Sequence, residues 1–284
     1  MKTDFVARSL RSVAPLWAAA ALGVLAACTQ QPSAQQTPSA EQKPSAEQTL
    51  ATLAGTPIDG VAKDAKLQAA ALEVGKKVYE ANCAECHGVN LKGAADPALA
   101  GKHAANLTDD FWMFWGKDID TFQMHPSDVE RTIKYGVRAG SDESRGMAPD
   151  PVHHDIDSVV MPPRGEENNL TPAQIDEVAE YVLELNHRAT DKAKAARGYK
   201  VFFRKNGGVC FDCHLGDAKG DGEIGSANLL RPETWLYGAD RASLVETIAK
   251  GRAGVCPAFV DKLNSGEIKA AALYVFSKAG GTEF

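Results

Sequence analysis

Apolar and polar residues follow three successive rhythms along the chain. Residues 1–28 open with Lys2, Arg8 and Arg11 and continue as an apolar run from Val13 to Ala27, interrupted mainly by Pro15. A positive start before a short apolar stretch predicts an export signal, and the run is too short to span a bilayer comfortably. Residues 29–57 then shift to Gln, Pro, Ser, Ala and Thr, with Pro-Ser-Ala-Glu-Gln at 38–42 and again at 44–48. Such a tract buries too little apolar surface to order itself, so it predicts a disordered tether with an r.m.s. reach of roughly 30 Å. Beyond it the period becomes helical. Leu67, Ala70, Ala71, Val74 and Val78 share one face, and the stretch from Ala193 to Phe203 plays the same part later. Thr171-Pro172-Ala173-Gln174 is a capping box with Pro at the first helical position, ahead of Ile175, Val178, Val182 and Leu183; Ile268, Ala271, Ala272 and Val275 repeat that arrangement. No later segment is long and apolar enough to cross a membrane.

These helical patterns belong to an internal repeat. Asn106-Leu107 precedes Trp115-Gly116 at the spacing by which Asn228-Leu229 precedes Tyr237-Gly238. Thr132-Ile133 with Gly136 matches Thr247-Ile248 with Gly251, Val160-Met161-Pro162 matches Val255-Cys256-Pro257, and Ile175 to Tyr181-Val182 matches Ile268 to Tyr274-Val275. A duplicated helical unit accounts for all four. The expected organisation is all-α, with a leader at 1–28, a tether at 29–57 and two tandem helical domains at 58–188 and 189–284.

Each unit carries Cys-x-x-Cys-His: Cys83-Ala84-Glu85-Cys86-His87 and Cys210-Phe211-Asp212-Cys213-His214. In that spacing two thiols add across the vinyl groups of one haem while the adjacent His ligates the iron from the same side, so two copies predict two haem c groups. A four-thiolate zinc site or a thiol-disulfide pair would use the cysteines but leave His87 and His214 unexplained. Each core is small for its length, so much of its burial has to be against the haem.

The chain has six cysteines, of which four belong to these motifs. Leu25-Ala26-Ala27-Cys28 resembles the bacterial lipobox, which predicts lipidation of Cys28 and a membrane anchor; an ordinary signal peptide cleaved near Ala27 is the alternative. Cys256 is then left without a disulfide partner. The formal net charge is −6, and loss of Lys2, Arg8, Arg11 and Asp4 with the leader makes the remainder more acidic still. Nucleic acid is disfavoured as a partner, and a basic redox protein would be steered towards this surface with salt-sensitive rates.

At this point the chain resembles the class I cytochrome c fold, in which the first and last helices cross and a loop before the last helix supplies the sixth iron ligand. Its tandem units are similar to the di-haem subunit of cbb-type haem-copper oxidases, through Trp235-Leu236-Tyr237-Gly238, Gly251-Arg252-Ala253-Gly254-Val255 and Ala272-Leu273-Tyr274-Val275. The resemblance covers about residues 65–284. It departs from that subunit in having a lipid box in place of a transmembrane helix and in lacking a second distal methionine.

The resemblance implies His87 and Met161 as axial ligands of the first haem, with Met147, Met124 and Met113 as fallbacks. His103 and His125 are expected at the surface and would be distal ligands should Met161 fail. In the second unit His214 is the proximal ligand and Cys256 stands where the family places Met, since all five methionines lie at or before Met161 and no His follows His214. An unligated thiol beside five-coordinate or lysine-bound iron is the alternative. A thiolate favours ferric iron, so the expectation is a higher-potential His/Met haem and a lower-potential His/Cys haem.

Two functions follow from that inequality. In the first, the protein is a periplasmic, membrane-tethered carrier passing single electrons between respiratory redox partners, a membrane oxidase or reductase among them. In the second, the Cys256-ligated haem oxidises sulfur anions in the manner of thiosulfate dehydrogenases, with Arg252 as the nearby cation. The segment between Gly140 and Val159, with Met147, Asp150, His153, His154, Asp155 and Asp157, reads as a solvated loop ahead of a metal or docking site.

Overall fold

A computed structural model describes residues 43–61, 63–114, 124–140, 144–145, 170–204, 210–222, 224–252 and 254–280. The leader with Cys28, the first part of the tether, Met147, Met161 and the histidines of the 140–159 segment lie outside the described residues. Among the described residues there is no strand; isolated bridges join Val137 to Arg145 and to Cys256. The α-helices are α1 (Ala46–Gly55), α2 (Ile58–Val61), α3 (Ala65–Asn82), α4 (Ala84–His87), α5 (Pro126–Tyr135), α6 (Pro172–Leu185), α7 (Lys192–Phe202), α8 (Cys210–His214), α9 (Arg241–Lys250) and α10 (Ser265–Phe276). No described helix is long and apolar enough to cross a membrane.

Local signals set the helix ends. Asp64 accepts from the Lys66 and Leu67 amides to start α3, and Asp191 accepts from Lys194 to start α7. Thr171 with Gln174 and Asn264 with Glu267 close reciprocal capping boxes on α6 and α10.

Two helix crossings organise the packing, and both are built alike. In the first, Gly75 of α3 meets α10 so closely that a Cβ there would lie 2.0 Å from the Ala270 carbonyl oxygen, with the Tyr79 and Tyr274 rings 5.5 Å apart alongside. In the second, a Cβ on Gly198 of α7 would lie 1.9 Å from the Glu177 carbonyl oxygen of α6, with Tyr181 and Phe202 5.3 Å apart. Only glycine lets two backbones approach to this distance.

The partners differ from those the repeat suggests. The sequence pairs α3 with α6 and α7 with α10, each within its own half; the fold pairs α3 with α10 and α6 with α7. The physical reason is the connection: residues 186–191 join α6 to α7, and so short a link folds consecutive helices back on each other as a hairpin. The expected domain boundary between 188 and 189 therefore falls inside a tightly packed pair. One lobe, containing α6 to α9, is continuous in sequence, with Ile175, Val178, Val182, Phe202, Leu244 and Ile248 in its core. The other closes around α3 only when α10 returns, placing Leu273 and Phe276 against Val74, Tyr79 and Val129.

The tether expectation also needs correction from residue 43 onward. The second copy of Pro-Ser-Ala-Glu-Gln is a capping box, with Ser45 accepting from the Gln48 amide and the Gln48 side chain from the Ser45 amide. It starts α1, whose Thr49 and Leu53 are buried against the first lobe. Buried Lys269 of α10 then donates to the carbonyls of Leu53, Ala54 and Thr56 at 3.1, 3.2 and 2.7 Å, which caps the far end of α1 with a cation.

Candidate haem sites

Both Cys-x-x-Cys-His motifs form a single short helical turn that follows a crossing helix in the chain, α4 after α3 and α8 after α7. Cys83 donates its amide to the Tyr79 carbonyl and so extends α3, and the buried Tyr79 hydroxyl donates to the Gly88 carbonyl at 2.6 Å. The motif is thus fixed at both ends to one residue, to the Tyr79 main chain at its start and to the Tyr79 hydroxyl at its end. In the second lobe Ser226 Oγ donates to the Cys213 carbonyl at 2.5 Å and fixes the equivalent turn. None of the five described cysteines forms a disulfide.

The two histidines are held identically. His87 Nδ1–H donates to the Ala105 carbonyl and His214 Nδ1–H to the Ala227 carbonyl, each at 2.9 Å. That bond fixes the tautomer and leaves Nε2 as the electron-pair donor, the arrangement a metal-bound imidazole needs. Burial holds the His87 ring below the ordinary histidine range, with the Ala105 bond opposing it, so the neutral form is favoured. The carbonyls sit in matching loops. Asn106 Oδ1 accepts from the Thr108 amide and Asn228 Oδ1 from the Leu230 amide, while the Leu107 and Leu229 amides donate to Leu91 and Ala218. The Asn-Leu repeat marks these loops in the sequence, but the carbonyl of the preceding alanine, which does the work, has no side-chain signature.

Cys256 lies beside the first motif. Val137 and Cys256 exchange both backbone hydrogen bonds, at 2.9 and 3.0 Å, and the Cys256 side chain packs with Phe259, Leu263 and Ile268 next to Val78 of α3 and Ile133 of α5. Burial, with Cys86 adding to it, pushes the Cys256 thiol up to about 11, and burial with Cys256 nearby pushes Cys83 up to about 11. The polypeptide alone therefore keeps this thiol protonated, and a thiolate forms there only with a cation beside it. The expected grouping of Cys256 with Cys210, Cys213 and His214 is not the one the fold assembles, because Cys256 enters on the segment leading to α10.

Both lobes carry buried donors that the protein does not satisfy: Trp112 Nε1 and Arg145 Nε in the first and Arg252 Nε in the second. Buried unpaired N–H groups are costly, and two propionate carboxylates per haem are the acceptors such donors suit. Together with the thiols and the oriented Nε2 atoms, they make each lobe chemically fit for a haem c.

The remaining sequence candidates fall as follows. Met124 is buried in the first core and Met113 is half-buried. His125 is the exposed residue ahead of α5. His103 is exposed but tied to the other lobe, donating from Nδ1 to the Leu236 carbonyl at 2.9 Å with its ring 4.4 Å from that of Tyr237. Arg252, considered as a cation for sulfur anions, has its guanidinium engaged by Glu246 at 3.1 Å and over the Tyr237 ring at 5.0 Å.

Comparison with known proteins matches residues 70–182 and 193–275 to the family described as cytochrome c oxidase, cbb3-type, subunit III. The chain is 35% identical over 235 residues to the cbb3-type cytochrome c oxidase subunit CcoP of Azospirillum brasilense, covering 82% of this chain and 70% of that one. It is 37% identical over 233 residues to subunit FixP of Bradyrhizobium sp. (strain ORS 278), covering 82% and 69%. The matched segments begin in α3 and α7, and each runs through a Cys-x-x-Cys-His motif.

Proposed function

The chain belongs to the cbb3-type cytochrome c oxidase subunit III family, and from that premise we propose that it is a membrane-tethered, periplasmic di-haem cytochrome c that passes single electrons between respiratory redox partners, a terminal oxidase among them. The observation that carries this reading is the pair of histidines, each locked by Nδ1 to a main-chain carbonyl beside two thiols. When bound, each haem supplies a one-electron ferric/ferrous couple. The protein's part is to hold the thiols and imidazoles in fixed geometry and to exclude water, so that little reorganises as charge arrives.

The distal donors follow from packing. Cys256 is the donor to the haem of His87, because its backbone is bonded to Val137 and its side chain packs on the same cluster as Val78 of α3 and Ile133 of α5. Met161 serves the haem of His214, because the helix it precedes, α6, packs on α7. The lower-potential thiolate haem is then the one at Cys83 and Cys86 rather than the one at Cys210 and Cys213. Cys28 carries the lipid that anchors the protein.

Potentiometric titration with EPR of the ferric protein tests this. Two separated transitions are expected, with a low-spin thiolate signal that is lost in Cys256→Met. The same signal should vanish with the first haem in Cys83→Ala/Cys86→Ala and survive removal of the second in Cys210→Ala/Cys213→Ala. Survival in the first double variant and loss in the second would return Cys256 to His214. For the anchor, Cys28→Ser should move the protein from the membrane to the soluble fraction.

A further inference from the structure

Arg138 joins the surroundings of both haem sites. It follows Val137, the residue bridged to Cys256, and adopts a left-handed backbone with φ 50°. Its amide donates to the Arg145 carbonyl at 3.0 Å, which holds that uncommon conformation in place. From there Nη1 donates to the Gly254 carbonyl at 3.0 Å, and Nη2 to the Gly225 carbonyl at 3.0 Å, with a longer contact to Ile224 at 3.4 Å.

The two acceptors are significant for what lies next to them. Gly254 stands just ahead of Cys256 on the segment bonded to Val137. Gly225 stands just ahead of Ala227, whose carbonyl orients His214, and Ser226 between them donates to the Cys213 carbonyl. The 221–226 turn is itself closed, since the Gly225 amide donates to Asp221 and the Asp221 amide to Ser226 Oγ at 2.8 and 2.7 Å. It cannot drift without carrying the second motif along. Its seat against the first lobe is close: a Cβ on Gly225 (φ 70°) would lie 2.6 Å from the Phe114 ring and 3.1 Å from Arg138 Nη2.

We propose that Arg138 is a positioning residue shared by the two haem sites, its planar fork holding the Cys256 segment of one and the His214 loop of the other at a single fixed separation. A guanidinium suits this task because its donors diverge rigidly from one plane and its charge is retained on burial; an ammonium keeps the charge but not the fork. The inference rests on the assignment of Cys256 to the His87 haem.

The test uses the full-length protein with both haems attached, comparing wild type, Arg138→Lys and Arg138→Gln by EPR and potentiometry. If the fork is what matters, both variants shift the g-values of both ferric haems, and Gln, which also removes the cation, lowers both midpoint potentials further than Lys does. Signals of only one haem moving, neither moving, or Lys restoring the wild-type spectrum at both would overturn the proposal. Should Arg138→Gln fail to accumulate, Arg138→Lys alone decides between the same outcomes. Absence of a thiolate signal in the wild type would instead overturn the Cys256 assignment, while the response of the His214 haem would still report on Arg138.

Discussion

At the scale of single residues, two kinds of group behave differently in the sequence. The thiols and imidazoles of Cys83, Cys86, His87, Cys210, Cys213 and His214 are legible because their chemistry is written in side chains at fixed spacing. The carbonyls of Ala105 and Ala227 and the fork of Arg138 are not, since one kind acts through the main chain and the other through a contact between distant loops. Glu180 is a further case: fully buried, it accepts from the Thr190 and Asp191 amides and pairs with Arg241, thereby tying α6 to the start of α7 and to α9. Glu180→Ala leaves the Thr190 and Asp191 amides without their carboxylate, while Arg241, about a third exposed, keeps Asp176, so a loss of about 1.5–3 kcal/mol in denaturant unfolding is expected. Arg241→Ala in the same assay should cost a comparable amount, and the double variant less than the sum.

At the scale of elements, helix positions and caps were readable from period and capping boxes, and the structure places α3, α6, α7 and α10 where the pattern does. What the pattern could not convey is which helix meets which, because all four apolar faces are alike. The short 186–191 link decides it, and the crossing glycines let each pair close. Gly75→Ala and Gly198→Ala place a methyl where a carbonyl oxygen already sits, and each should destabilise by about 1–3 kcal/mol or more, read as a lowered unfolding midpoint. The helix α1 was hidden inside a repetitive polar tract, and its stability comes largely from the opposite end of the sequence. In Lys269→Met the three carbonyls lose a charged donor, so a loss of about 1.5–3 kcal/mol is expected. Hydrogen exchange should then rise over residues 46–55 first, with α3 and α10 affected less.

At the scale of the whole molecule, the internal repeat was legible and its closure was not. Repetition shows that Val255-Cys256-Pro257 is equivalent to Val160-Met161-Pro162, but equivalence in sequence does not say which lobe a segment completes. With α6 hairpinned onto α7, the lobe of His214 is an insertion within the lobe of His87. A fragment spanning 158–252 should therefore fold and bind one haem covalently, whereas a 189–284 fragment, lacking α6, should remain largely unfolded by circular dichroism. The reverse result would restore the tandem boundary at residue 188.

The inserted lobe also sets an order in time. On the export route proposed above the chain would emerge amino end first, so Cys83 and Cys86 would reach the far side of the membrane long before α10. The first motif would then wait, its helix uncovered, until everything through residue 276 has crossed. The second lobe has all its helices once α9 is out. On that route maturation would run against the numbering: the later motif would seal its haem first, and the earlier one would stay open to the attachment machinery and to proteases until the last helix arrives.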